Sequence, residues 1–270
     1  MQYNEKLVGF AYYNNAWILK SVFFKSLPIT KNQSKMLLRN KGLYVRNIFN
    51  WDRSDNKTYW YIIKDEFGGI EELPTKVRNQ VKKSLKTYDF RIVSYDEMLN
   101  KGCDLFNKSR ARFKNSDKFT QEQWIERLNR DNKNDYWIGY DRETGEPASF
   151  ALNAIYDDYV DYCTMGISPE FPNNTYPMYG LIFEMNRYYL EERKAKFVCD
   201  GARSITGHSN IQQVLEDKFK FRKAYCDIQV FYKPIIGLAV KVLFPFRNLI
   251  RFSKVNALLR QEAWTRGMEK

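Results

Sequence analysis

The chain has 270 residues, enough for one large domain or two small ones with a real buried core. An apolar fraction of 44% and an aromatic fraction of 16% exclude a chain that is disordered over most of its length. The net charge is +12, and residues 233–270 hold eight basic side chains against two acidic ones. Such an excess is found on solvated helix faces and on proteins that bind phosphates, RNA or anionic membranes.

Cysteine and histidine usage excludes two common kinds of site. The four cysteines lie far apart with no CxxC pair, so a disulfide framework is disfavoured and a reducing compartment fits. With His208 as the single histidine, a multi-histidine metal site is excluded, and we expect no metal. The N-terminus lacks the basic start and apolar core of a signal peptide, and no run reaches the ~20 apolar residues of a spanning helix. The sequence therefore predicts a cytoplasmic protein.

Residues 1–70 are predicted to form a strand-rich subdomain, because aromatic and β-branched segments alternate there with polar turns. The predicted strands cover 16–24, 43–48 and 58–63. A helix is predicted over 71–86, where Val77, Val81 and Leu85 recur at fourfold spacing and basic residues occupy the other faces.

From residue 89 the pattern predicts a strand, two helices, three antiparallel strands, a helix, a strand, a helix and a long final strand. The corresponding ranges are 90–94, 95–109, 121–129, 136–140, 148–156, 159–167, 175–194, 196–199, a helix from 209 and 222–232. Residues 234–264 form a separate helical segment that opens with 13 apolar-rich residues, too few to span a bilayer. Two interpretations stay open: contact with a membrane surface, or packing on a partner or on the protein itself.

The order of elements over 89–232 resembles the core of the GNAT-type acyltransferases. The basic run 76–86 resembles the segment before the second acyltransferase-like domain of Fem-type enzymes. Asp200-Gly201-Ala202-Arg203-Ser204 and the run 219–224 resemble a small-domain bacterial branch of that group, found among surface-polysaccharide genes. The resemblance implies an α+β fold, with a mixed, mostly antiparallel sheet flanked by helices over 71–233. The strand-rich region 1–70 precedes it and the basic amphipathic segment 234–270 follows.

One departure from the GNAT pattern concerns the acyl donor. GNAT enzymes bind the coenzyme A pyrophosphate on backbone N–H groups of a glycine-rich loop at a helix start. The matching stretch, 168–180, has three prolines, which remove donors, and Glu170, which has the wrong charge. Only Gly180 fits. Fem-type proteins lack this loop and take the acyl group from aminoacyl-tRNA, so acetyl-CoA and aminoacyl-tRNA both stay open as donors.

The resemblance places the reaction where two core strands diverge, between 162–166 and 198–201. Backbone N–H groups near Cys163, Thr164 and Gly166 are the expected donors to a developing oxyanion. The loop 200–210 holds the candidate catalytic side chains. There His208 is suited to act as a base near neutral pH, Asp200 to orient a base or hold the acceptor amine, and Ser204 to hydrogen-bond the acceptor.

Three basic residues are candidates for substrate binding. Arg203 has the geometry to hold a phosphate or carboxylate with two hydrogen bonds. Arg78 and Lys82 on the basic helix would bind a nucleotide-sugar diphosphate, a lipid-linked phosphate or tRNA; a solvated face is the alternative.

Together these features predict N-acyl transfer onto an amino sugar or a lipid- or nucleotide-linked glycan precursor. The amine would attack the donor carbonyl directly, with the protein at the inner membrane face and residues 234–264 in peripheral contact. A non-catalytic protein that binds RNA or a membrane surface through a decayed acyltransferase fold is the alternative.

Overall fold

The computed structural model describes residues 9–19, 23–53, 58–111, 118–130, 133–205, 211–250 and 252–268. The strands of these residues are β1 Phe10–Tyr13, β2 Ala16–Leu19, β3 Tyr44–Phe49, β4 Tyr59–Lys64, β5 Tyr88–Val93, β6 Asn134–Asp141, β7 Pro147–Ile155, β8 Tyr159–Ile167, β9 Phe197–Ala202, β10 Arg222–Tyr225 and β11 Asp227–Tyr232. The α-helices are α1 Lys31–Leu38, α2 Thr75–Thr87, α3 Tyr95–Arg110, α4 Gln121–Leu128, α5 Pro177–Asn186, α6 Ile211–Phe219, α7 Pro234–Leu243 and α8 Ser253–Thr265.

The strands form two mixed sheets. The smaller has four strands in the order β1-β2-β3-β11, and the larger has seven in the order β10-β4-β9-β8-β7-β6-β5. Pairing is parallel between β2 and β3 and between β8 and β9, and antiparallel along β5, β6, β7 and β8. The predicted fold class, α+β with a mostly antiparallel mixed sheet flanked by helices, is confirmed.

Several predicted elements need correction. The helix α1 was not predicted, although Thr30 and Gln33 form a capping box at its start. The strand predicted over 222–232 is two strands, β10 and β11, which belong to different sheets. Apolar alternation runs across Cys226, so the pattern does not reveal the change of sheet. The helix predicted over 175–194 is α-helical only to Asn186 and continues as a π-helix over Arg187–Glu192.

The chain divides into two compact units. One, here called the terminal unit, contains 1–62, 202–210 and 223–270; the other, the central unit, contains 63–201 and 211–222. Residues 234–270 share a unit with the N-terminal residues.

One core cluster of the central unit lies between the sheet and the helices α3 and α4. Trp124, with 0% exposure, packs there with Met98, Phe106 and Phe150. Gly102 on α3 allows this packing, since an added Cβ would lie 2.5 Å from the Trp124 ring. Helix α3 packs against β6, β7 and β8, and β8 is held on one side by β7.

In the terminal unit, α7 and α8 pack against each other and against β11. Their shared core consists of buried side chains from both helices, namely Val240, Phe244, Leu259 and Ala263. No helix among the described residues is both long and apolar enough to cross a membrane.

Candidate functional site

The strands β8 and β9 separate partway along their length. Their parallel pairing joins Tyr159 to Phe197, Val160 to Val198 and Asp161 to Cys199, and ends there. Beyond this point β8 continues to Ile167 along β7, and β9 continues to Ala202. A parallel pair that ends early leaves backbone donors and acceptors facing the gap between the strands. The divergence expected from the sequence is therefore present in the pairing.

A β-bulge lies in β8 at the start of this gap. The adjacent β7 residues Leu152 and Asn153 face Thr164 and Tyr162, so Cys163 is the extra residue of the bulge. A bulge turns the local backbone and is common next to active sites. The strand around Cys163 is thus the part of β8 best suited to direct main-chain N–H groups at a bound carbonyl.

Asp200 is the first β9 residue beyond the paired region. Gln212 on α6 donates from Nε2 to its Oδ1 at 3.0 Å and to the Gly201 carbonyl at 3.4 Å. Burial raises the pKa of Asp200 from 3.8 to about 7, and the nearby Asp161 carboxylate adds to the increase. A carboxyl group with this pKa can accept and release a proton near neutral pH.

Asp161 approaches the other side of the turn at Gly201. Gly201 has φ +80°, and a Cβ added there would lie 3.6 Å from Oδ1 of Asp161. Glycine adopts this left-handed conformation at no steric cost. Two carboxylates thus lie near the last paired residues of β8 and β9, and their mutual repulsion favours protonation of one of them.

Cys199 is unsuited to act as a nucleophile. It is fully buried in β9, and burial raises its pKa well above the ordinary thiol value, with a further contribution from Asp161. The thiolate is the reactive form, so a thiol that stays protonated at neutral pH is inert. An acyl intermediate linked to Cys199 is therefore disfavoured.

Two of the β8 residues predicted for the site, Thr164 and Gly166, contact neighbouring elements of the central unit. Oγ1 of Thr164 accepts a hydrogen bond from Nη2 of Arg127 on α4 at 2.5 Å and donates to the Cys163 carbonyl at 2.8 Å. Gly166 is buried, and an added Cβ would lie 2.3 Å from the Phe150 ring and 2.7 Å from Oγ of Ser109. Gly166 therefore lets β8 approach its neighbours, whatever its backbone N–H binds.

The start of α5 is where the GNAT pattern places the pyrophosphate loop. Pro177 occupies the first helical position and has no N–H, while the Tyr179 N–H donates to the Tyr176 carbonyl at 2.9 Å. The Glu170 carboxylate is held nearby by Lys108 at 3.0 Å. Gly180, the one residue that matches the family loop, packs against Phe90, whose ring would lie 2.4 Å from an added Cβ. These residues do not fit the coenzyme A pyrophosphate.

The other predicted residues of the loop 200–210 belong to the terminal unit. The Arg203 guanidinium lies over the rings of Tyr59 at 4.2 Å and Trp264 at 3.9 Å, and Ser204 is exposed. His208 lies outside the described residues.

The two candidates on α2 differ in their surroundings. Arg78 is held by the Glu71 carboxylate at 2.5 Å and donates to the carbonyls of Glu71 and Leu73. These bonds fix the turn before α2. Lys82 is exposed on the same helix. Both residues remain predictions as substrate contacts.

Sequence reasoning missed Asp161, Gln212 and Arg127. An aspartate inside a predicted strand was a usable signal, since carboxylates are depleted from strand interiors. Gln212 lies in the helix predicted from residue 209, and no local pattern indicates that its side chain binds Asp200. Nothing in the sequence links Arg127 to Thr164, which lies 37 residues further along the chain.

No protein-family model and no curated protein matches the chain. Three solved structures are similar. The C-terminal domain of a putative lysylphosphatidylglycerol synthetase from Agrobacterium fabrum has a TM-score of 0.57 at 12% identity, covering 87% of this chain and 84% of that one. FemX has a TM-score of 0.54 at 10% identity, covering 76% of each chain. L-PGS from Bacillus licheniformis has a TM-score of 0.51 at 13% identity, covering 90% and 86%.

At these identities the likeness concerns the fold. The chain has the α+β fold that the resemblance to GNAT-type, Fem-like acyltransferases implied. Within that class, the similar structures include FemX and lysylphosphatidylglycerol synthetase domains, so the fold is of the Fem-like kind.

Proposed function

We propose that the protein is an acyltransferase that uses Asp200 as its general base. The observation that carries the proposal is the position of this carboxyl group, whose pKa is about 7, one residue beyond the point where β8 and β9 separate. General bases are most effective when their pKa lies near the working pH. The fold, shared with acyltransferases, supports the same reaction class.

The proposed donor is aminoacyl-tRNA. The start of α5 does not fit a coenzyme A pyrophosphate, because its prolines lack N–H groups and the Tyr179 N–H is used within the turn. The similarity to FemX supports a donor of the Fem type. A net charge of +12 suits a polyanionic donor.

The proposed acceptor is the amine of an amino sugar or of a lipid- or nucleotide-linked glycan precursor. Its nitrogen attacks the ester carbonyl of the donor, and a C–N bond forms. N–H groups of β8 near Cys163 stabilise the oxyanion, and Asp200 takes the proton from the nitrogen. The C–O bond to the tRNA ribose then breaks, and the leaving oxygen takes up a proton. The products are an amide and a free ribose hydroxyl.

A transfer assay with paired donors tests this proposal. Purified protein is incubated with UDP-amino sugars and either a radiolabelled aminoacyl-tRNA pool or acetyl-CoA, and labelled amide is measured. We expect product from aminoacyl-tRNA alone, and we expect no thermal shift with acetyl-CoA. Product from acetyl-CoA alone would overturn the donor assignment. Salt-sensitive binding of any RNA without product would support the non-catalytic alternative instead.

A further inference from the structure

The C-terminal segment presents several exposed large apolar side chains over residues 235–252. We call this the C-terminal surface, and its large members are Ile235, Leu238, Val242, Phe246, Leu249 and Phe252, each between 56% and 82% exposed. The first three recur on one face of α7 at helical spacing. The opposite side of α7 packs against α8 through Val240. Packing on the protein itself therefore accounts for one side of this segment and leaves the other uncovered.

Positive charge predominates around the C-terminal surface. Residues 233–268 contain seven basic residues and one acidic residue, Glu262, whose carboxylate pairs with Arg266. Lys241 and Lys254 are exposed beside the apolar side chains. An amphipathic surface that combines large apolar groups with lysine and arginine is the pattern of proteins that bind anionic bilayers.

A cleft of about 490 Å³ lies within the same part of the terminal unit, and hydrogen-bond donors line it. Its lining includes Arg247, Asn248, Asn256, Arg260 and Trp264, with no acidic residue. Neither arginine forms an ion pair with any residue in the described part of the chain. Trp264 is 5% exposed. Its indole N–H has no hydrogen-bond acceptor in the described part of the chain. An excess of donors and positive charge fits the oxygens of a phosphate group.

We propose that the C-terminal surface docks on an anionic phospholipid bilayer, with a lipid phosphate in the arginine-lined cleft. The apolar side chains would enter the boundary between headgroups and acyl chains, and the lysines would face the headgroups. A second copy of the chain is a poorer occupant, because a twofold contact would set two basic surfaces against each other. RNA would leave six large apolar side chains exposed to water.

Vesicle co-sedimentation tests the proposal with the full chain. Phosphatidylcholine vesicles with and without phosphatidylglycerol are compared. We expect binding to the anionic vesicles, weakened by salt, and at least about tenfold weaker in the double variant Leu249→Ser with Phe252→Ser. The matched control is Leu27→Ser with Met36→Ser, which alters two other exposed apolar side chains of the terminal unit and should bind normally.

A charge variant tests the cleft. Arg260→Gln should weaken binding by about fivefold, the effect expected of one cation near an anionic surface, whereas Lys35→Gln on α1 should not. Equal binding to neutral vesicles would overturn the proposal. So would self-association that Leu249→Ser and Phe252→Ser abolish in the absence of vesicle binding. A thermal shift with inorganic phosphate alone, without vesicle binding, would also contradict it.

The proposed membrane docking and the proposed acyl transfer are tested by separate experiments, so either can be wrong without the other. Vesicle binding is measured without any acyl donor, and Asp200→Asn should bind vesicles as the unaltered protein does. Loss of transfer with normal vesicle binding would leave this inference intact.

Discussion

Replacing Asp200 with asparagine is expected to lower the rate of acyl transfer by about 10²- to 10⁴-fold, the range for loss of a general base. The amide keeps the shape of the side chain, and its oxygen still accepts the hydrogen bond from Gln212. The measurement is kcat/KM for the Asp200→Asn variant in the transfer assay. The control is Asp217→Asn, an exposed position on α6 of the same unit, which should leave the rate unchanged.

The same variant should be more stable than the unaltered protein at alkaline pH. The folded-state pKa of Asp200, about 7, lies above the ordinary 3.8, so the folded state resists ionisation. The raised pKa does not affect the free energy of unfolding below pH ~4. It lowers that free energy increasingly as the pH rises towards 7, and the loss is complete above pH 7. At about 1.4 kcal/mol per pKa unit, reduced for partial exposure, Asp200→Asn should gain about 1 to 3 kcal/mol at pH 8. Denaturant unfolding at pH 8 and pH 4 measures the difference.

An unchanged rate in the asparagine variant would remove Asp200 from the mechanism. A loss of rate together with a loss of stability at pH 8 would instead indicate that the carboxylate is a structural element.

Replacing Glu72 with glutamine is expected to destabilise the fold by about 3 to 5 kcal/mol. Glu72 holds Lys64, whose side chain is 3% exposed at the end of β4, with an Nζ–Oε1 distance of 2.9 Å. Its Oε2 also accepts the Gly68 N–H at 3.1 Å. Glutamine can still bind Gly68 but leaves a buried ammonium group without a counter-charge. Unfolding in urea measures the loss.

The neighbouring Glu71 provides a matched control. It pairs with Arg78, but its side chain is 69% exposed, so Glu71→Gln should cost less than about 1 kcal/mol. Adding Lys64→Met to Glu72→Gln should restore most of the lost stability, because the buried charge is then absent. Equal losses for Glu71→Gln and Glu72→Gln would show that the buried pair does not contribute as argued.

Much of the central unit follows from local sequence. The predicted β8 has the observed bounds, and α3 and α4 differ from their predicted ends by one residue. Local capping and apolar periodicity decide such elements. The local sequence does not predict that residues 222–232 divide between two sheets. The sheet that each of β10 and β11 joins depends on strands distant in sequence. The position of β4 in the larger sheet is missed for the same reason.

The candidate site was predictable only in part. Asp200 stood out as an acidic residue at the end of a predicted buried strand. Its raised pKa depends on burial and on Asp161, 39 positions earlier, and neither is visible in a single sequence. The bulge at Cys163 results from pairing with β7, so no local pattern marks it.

For the C-terminal segment, the sequence predicted a helix but not the surroundings of its two faces. Its apolar run allowed self-packing or membrane contact, and one face of α7 packs while the other is exposed. Helical periodicity distinguishes two faces but does not tell which of them has a partner.

The pH dependence of kcat/KM for acyl transfer tests the central claim most directly, namely that the carboxyl group beyond the β8–β9 divergence is the base. The unaltered protein should lose activity tenfold per pH unit below an apparent pKa of about 7, and Asp200→Asn should lack this limb. An identical acidic limb in both proteins would contradict the account, because another group would then be titrating.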